Sequence, residues 1–213
     1  LLIGLEYVFK RRGPMTMGAS QLCGFAKSDP SRDTPNLQFH IQPISTDKLG
    51  GANLHDFHAF TPTVANVRPT SRGEINIISK DSREKPKIKM NYLSTEDDRK
   101  VAADGLRLVR DIVFKSETFK KYHPEELRPG SQFQSNEELV QEGSKFTQTI
   151  FHPVGTCKMG SDENAVVNDE LKVHGIQNLR IIDASIMPNI TSGNTNAPTI
   201  MIAEKGADMI LGK

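Results

Sequence analysis

Apolar and polar positions alternate over short stretches through the first 93 residues. Leu22 to Ala26, Leu37 to Ile44, His58 to Val67, Glu74 to Ile78 and Lys87 to Leu93 are β-prone runs. Turn chemistry separates them: Ser28-Asp29-Pro30-Ser31, Asp47 to Gly51, Pro69 to Gly73 and Asp81 to Pro86. In Phe39-His40-Ile41-Gln42 a period of two puts Phe39 and Ile41 on one face of a strand and His40 and Gln42 on the other. One face then packs on a core while the other is free to line a cavity.

The period changes after residue 93. Val101, Leu108, Val109, Ile112 and Val113 recur at helical spacing. Ser94 or Thr95 is placed to cap this helix, and Glu96, Asp97 and Asp98 suit its positive end. The prolines and glycine between His123 and Ser135 make a loop. A second helix is expected from Asn136 to Phe146, with Ser135 as its cap and Glu138 three positions on. Asn178 to Asp183 is a short apolar run of the kind that forms a strand covered on both faces. Pro198 fits the first turn of a helix that Met201, Ile202 and Met209 carry to the end, weakened at Gly206.

At 213 residues the chain is long enough to bury a sizeable core. Its 27 basic and 26 acidic residues leave a formal charge of +1, without the basic stripe that a nucleic-acid partner requires. No apolar run approaches the length of a membrane span. The two cysteines, Cys23 and Cys157, are far apart and form no Cys-x-x-Cys, which speaks against a disulfide framework or a zinc site and for a reduced compartment.

Two segments carry candidate chemistry. Phe151 to Gly160 reads FHPVGTCKMG, and Arg180 to Lys205 reads RIIDASIMPNITSGNTNAPTIMIAEK. Imidazole ordinarily titrates near neutral pH and is suited to proton abstraction. Pro153 restricts His152 to an extended backbone, and Gly155 lets the turn close tightly. On pattern alone His152 serves either catalysis or only its turn, and Asn194 and Asn196 are equally explained as caps before a helix. Cys157 is close in sequence to His152, but a turn does not aim the two side chains at each other. His40, His55, His58, His123 and His174 show no metal-like spacing. Arg68 and Arg72 flank the Pro-Thr-Ser turn, where clamping turn carbonyls is their default role.

Both segments resemble the carboxyl-terminal part of the glucose-methanol-choline (GMC) flavoproteins, in particular their choline and alcohol dehydrogenases. Glu6-Tyr7, Arg11 to Met15, Pro69 to Gly73 and Ser94 to Arg99 are also similar to that family, so the resemblance covers nearly the whole chain. It implies an α+β fold: a mostly antiparallel substrate-binding domain with flanking helices over residues 1–160, then a strand-loop-helix segment over 161–213 that belongs to an FAD-binding domain. The family's Gly-x-Gly-x-x-Gly fingerprint, where backbone meets pyrophosphate, does not occur among the sixteen glycines. The amino-terminal half of the FAD domain is therefore expected to be absent.

The resemblance further implies His152 as the general base and Asn194 as the amide that holds the developing alkoxide. It places Asp183 and Ala184 against the cofactor's ribityl and phosphate region, and Thr195 and Asn196 against the flavin N1/O2 edge. The bland reading of Asp183 is a strand-end cap. The implied reaction oxidises a primary alcohol, choline or another, with hydride passing to flavin N5. A quaternary ammonium prefers an aromatic cage, and this chain has no Trp, three Tyr and ten Phe. The expected partners are a small alcohol, the missing FAD-binding half, and a second copy through the Leu179 to Ile182 strand. The expected location is cytoplasmic or peripheral to the inner membrane. The rival reading is a stand-alone, cofactor-free binding module.

Overall fold

The computed structural model describes residues 2–18, 20–47 and 53–213; of the Asp47 to Gly51 turn only Asp47 falls among them. The architecture is mixed helix and antiparallel sheet. Strands β1 (Leu22–Ala26), β2 (Leu37–Gln42) and β3 (Thr61–Asn66) form one sheet in that order, with β2 central. Cys23 and Thr63 both lie opposite His40, and Val64 lies opposite Phe39. β4 (Glu74–Asn76) and β5 (Lys87–Lys89) pair separately, also antiparallel. β2 stops one residue before Pro43, which has no N–H to give a ladder.

Helix α2 (Glu96–Lys115) packs across this sheet. The Thr95 hydroxyl accepts from the Asp98 amide and caps it. Leu37 and Phe39 bury against Val101, with Val64, Leu108 and Val109 around them, as the alternation in β2 predicts. Gly105 is where α2 touches β3, since a Cβ there would stand 3.1 Å from Val64 Cγ2. The short α3 (Glu117–Lys120) and α4 (Asn136–Ser144) follow, and at α4 both halves of the Ser135–Glu138 capping box form. Arg110 of α2 holds the intervening loop, pairing with Glu126 and donating to the carbonyls of Phe133 and Gly130.

Two expectations need correction. A helix, α1 (Leu2–Lys10), opens the chain where no element was predicted, and its apolar side chains are exposed, Leu2 at 81% and Phe9 at 78%. The expected strand over 178–183 is not a strand. Only Arg180 makes a bridge, to Lys172. Asn178 turns the backbone at φ 60°, and residues 171–173 accompany the segment on one side through Val173 N–H to Leu179 O and Ile181 N–H to Leu171 O. Leu171, at φ 62°, breaks the extended backbone of the partner segment as Asn178 does here, so the bridge does not propagate into a ladder. The expected strand-loop-helix is a bridge, a turn and a helix.

That last helix, α5 (Asn196–Leu211), ends at Gly212 in the left-handed region. A second core gathers here from Val167, Leu171, Ile186, Met187 and Ile202, with Ile181 and Ile182 packed against it. Gly206 sits buried against Ile182, and an added Cβ would lie 2.5 Å from Ile182 Cγ2. Glycine in a helix interior ordinarily costs about 1 kcal/mol relative to alanine. Here the overlap outweighs that gain, because overpacking costs about 1–3 kcal/mol. Gly206→Ala is therefore expected to lower the thermal unfolding midpoint; a raised midpoint would show that Ile182 yields freely.

Candidate active site

His152 follows Phe151, a non-glycine residue at φ 65°. Backbone held in this region is strained and is characteristic of functional sites. Pro153 and Gly155 then turn the chain; Gly155 lies at φ 88°, and a Cβ there would meet Met187 O at 3.4 Å. Beyond the turn the backbone zips to the segment that leads to Asn194. Cys157 N–H donates to Ser185 O at 3.1 Å and Met159 N–H to Ile186 O at 2.8 Å. The two motif segments are thereby fixed to each other through the second core.

Three of the predicted residues meet at one point. His152 Nε2 is 2.6 Å from Asn194 Nδ2, and His152 Nδ1 is 3.0 Å from the Thr195 hydroxyl. His152 is half-buried, Thr195 buried and Asn194 exposed. Thr195 is the N-cap of α5, yet its side chain makes no capping bond. An N-cap hydroxyl normally serves the second or third amide of the helix from an extended backbone; here the third residue, Pro198, has no amide, and Thr195 is itself at φ −91°, ψ −2°. The hydroxyl is left for the imidazole. The amides of Asn196 and Ala197 have no partner among the described residues at this helix start, where the backbone dipole favours negative charge.

Asp183 and Ala184 stand at a separate turn. Asp183 Oδ1 accepts from the Ser185 amide at 2.8 Å and the Ser185 hydroxyl at 2.5 Å, which caps the 3₁₀ turn Ala184–Ile186. Neither residue bonds to His152, Asn194 or Thr195. Cys157 is half-buried and makes no bond to His152, whose two ring nitrogens are otherwise engaged.

The pattern of the sequence did not single out two supporting residues. Gln38 Nε2 donates to Asn194 Oδ1 at 2.8 Å. It has the same strand parity as His40 and Gln42, so the alternation in β2 was the signal that could have found it. Asp98 is the other. Its carboxylate, 4% exposed, accepts from the amides of Thr70 and Ser71, both at 2.9 Å, and from the Thr70 hydroxyl and Asn66. It holds the Pro69 to Gly73 turn, from which Arg72 clamps the carbonyls of Pro69 and Ser71, as expected, and reaches Asn189. The Asp98 carboxyl lies below its ordinary range: burial pushes it up, but the hydrogen bonds from Ser71 and Thr70 outweigh burial.

A cavity of about 880 Å³ opens beside His152, bordered by α2, α4 and the Pro69 to Gly73 turn. Asn194 does not border it. The cavity therefore flanks the imidazole and does not enclose the His152–Asn194 contact.

The chain is 43% identical, over all of its length, to an alcohol dehydrogenase [acceptor] from Pseudomonas putida, of which it spans 38%. It is 42% identical over 99% of its length to an oxygen-dependent choline dehydrogenase from Pseudomonas fluorescens, of which it spans 37%. Among solved structures, a formate oxidase from Aspergillus oryzae RIB40, studied for modification of its FAD, superposes with a TM-score of 0.85 at 27% identity, over 99% of this chain and 41% of that one. A pyridoxine 4-oxidase from Mesorbium loti gives a TM-score of 0.81 at 28% identity, over 92% of this chain and 38% of that one. The chain thus spans less than half the length of these relatives. A family model described as GMC oxidoreductase matches residues 69–203. That match takes in the Asp98-clamped turn, His152 behind the strained Phe151, and the start of α5, and this chain belongs to the GMC oxidoreductase family.

Proposed function

We propose that this chain is the carboxyl-terminal part of an FAD-dependent enzyme that oxidises a primary alcohol to an aldehyde. Residues 1–160 serve as its substrate-binding domain and 161–213 as the closing segment of its FAD-binding domain. The observation that carries the reading is the contact of His152 Nε2 with Asn194 Nδ2 at 2.6 Å, with Nδ1 held by Thr195.

The chain's residues fit a flavin. The open amides of Asn196 and Ala197, at the dipole-positive start of a 16-residue helix, suit an electron-rich edge such as flavin N1/O2. The Asp183 side chain is committed to Ser185, so only the backbone at Asp183 and Ala184 is left to approach the cofactor. When bound, FAD supplies a two-electron acceptor for hydride at N5. The protein's part is proton transfer and positioning. With its proton on Nδ1, donated to Thr195 Oγ1, His152 offers the Nε2 lone pair to a substrate hydroxyl. A hydroxyl that replaces the direct His152–Asn194 contact loses its proton to the imidazole and takes a hydrogen bond from the Asn194 amide. That amide then stabilises the alkoxide as it develops. Asparagine has no basic atom, so His152 acts alone as base.

The test compares two proteins. In a full-length FAD-loaded protein carrying this chain, anaerobic mixing with a panel of primary alcohols, choline included, is expected to bleach the oxidised flavin. No bleaching by any member overturns the reading. The 213-residue chain alone is expected to purify without flavin and to self-associate through its exposed apolar faces, Leu179 among them. Stoichiometric FAD on a monomeric chain, read by absorbance and size-exclusion chromatography, would refute the division of labour.

A further inference from the structure

The two ends of a carboxamide have nearly the same shape and opposite hydrogen-bonding character. Which end of Asn194 faces His152 therefore depends on what its other end meets. That other end meets Gln38, a residue only 1% exposed, whose Nε2 donates to Asn194 Oδ1 at 2.8 Å. The donor on Gln38 fixes the acceptor on Asn194, and so turns Asn194 Nδ2 toward His152. An N–H arriving at His152 Nε2 requires a lone pair there, which puts the ring proton on Nδ1, within reach of Thr195 Oγ1 at 3.0 Å.

The orientation of Gln38 itself has a physical basis. Its Oε1 is buried without a hydrogen-bond partner among the described residues, while Nε2 is shared between Asn194 and Cys23 Sγ at 3.4 Å. Reversing the side chain would bury an orphaned N–H in place of an orphaned carbonyl oxygen, and orphaned N–H groups are the rarer of the two. One contact favours the opposite tautomer: the Thr195 amide points at His152 Nδ1 from 3.4 Å. At that length it is the weakest contact on the ring, and the 2.6 Å contact at Nε2 outweighs it.

We propose that Gln38 is a positioning residue that sets the tautomer of His152 through the carboxamide of Asn194, keeping the Nε2 lone pair free for the substrate proton. The consequence for turnover rests on the reading of His152 as base; the tautomer itself does not. Gln38→Glu, measured above the pH at which its buried carboxyl ionises, replaces the donor with an acceptor of the same size. Asn194 must then turn Nδ2 to the carboxylate and Oδ1 to His152, and the ring proton moves to Nε2.

The test uses the FAD-loaded protein labelled with 15N-histidine, with the His152 ring signals assigned by their loss in His152→Gln. Wild type is expected to show the Nδ1–H tautomer and Gln38→Glu the Nε2–H tautomer, with flavin reduction slowed about 10²-fold, the scale of a misplaced reacting group. Gln38→Met removes the donor without imposing an orientation, and is expected to give a mixture of tautomers and a smaller loss. An unchanged single Nδ1–H tautomer in Gln38→Glu overturns the inference. If that variant does not fold, the same result in Gln38→Met overturns it. Should His152→Gln leave flavin reduction unaltered, the base reading fails while the tautomer measurement still decides the role of Gln38.

Discussion

His152→Ala is expected to slow flavin reduction by about 10²- to 10⁴-fold, the range for loss of a positioned general base, with FAD still bound. Stopped-flow absorbance under anaerobic conditions with saturating alcohol measures it. Nε2 is the ring atom on the exposed side of the pair, facing Asn194, and Asn194 has no atom that takes a proton. Cys157 makes no bond to the imidazole and offers no substitute. Water stands in for the base only poorly at neutral pH. A variant within a few-fold of wild type would remove His152 from the chemistry, and another base would have to come from outside this chain.

Asp98→Ala is expected to cost about 3 kcal/mol of stability and to loosen the Pro69 to Gly73 turn. Two part-buried backbone amides, Thr70 and Ser71, lose their acceptor, and a donor left without one costs up to about 1–3 kcal/mol. Urea unfolding and hydrogen exchange at those two amides measure the effect; retained protection at both would refute it. The sign of the pH dependence follows from the lowered carboxyl. Its stabilisation is fully present above the unfolded carboxyl's pKa, about 4, and is lost as pH falls through the lower folded value. The gap between wild type and Asp98→Ala should therefore narrow in acid, whereas the gap for Gly206→Ala should not follow that titration.

Local rules were legible where they act within a few residues. Thr95 and Ser135 cap the helices expected of them, and the alternation through Phe39 places the core face of β2 correctly. The His152–Asn194 pairing was legible only through likeness to a family, because it joins residues 42 positions apart. Gln38 lies 156 positions from Asn194 and was not recognised, since a glutamine in an alternating strand reads equally well as facing solvent. Asp98 was read as helix-start electrostatics beside Glu96 and Asp97. Its real partners, Thr70 and Ser71, belong to a turn that precedes it by more than twenty residues. The 178–183 segment failed for a different reason. Apolar composition permits a strand, but a ladder needs extended backbone on both partners, and Leu171 and Asn178, both at positive φ, interrupt it on each side of the bridge.

The backbone bonds from Cys157 to Ser185 and from Met159 to Ile186 give the site a common origin of measurement. From that origin five peptide units run back from Cys157 to His152, and nine run forward from Ser185 to Asn194. The separation of the His152 imidazole and the Asn194 carboxamide is thus fixed by counting residues on two arms of a caliper hinged in the core. Gly155 on one arm and Ile186 and Met187 on the other are held by the turn and the core, and a one-residue insertion or deletion in either arm is expected to break the His152–Asn194 contact.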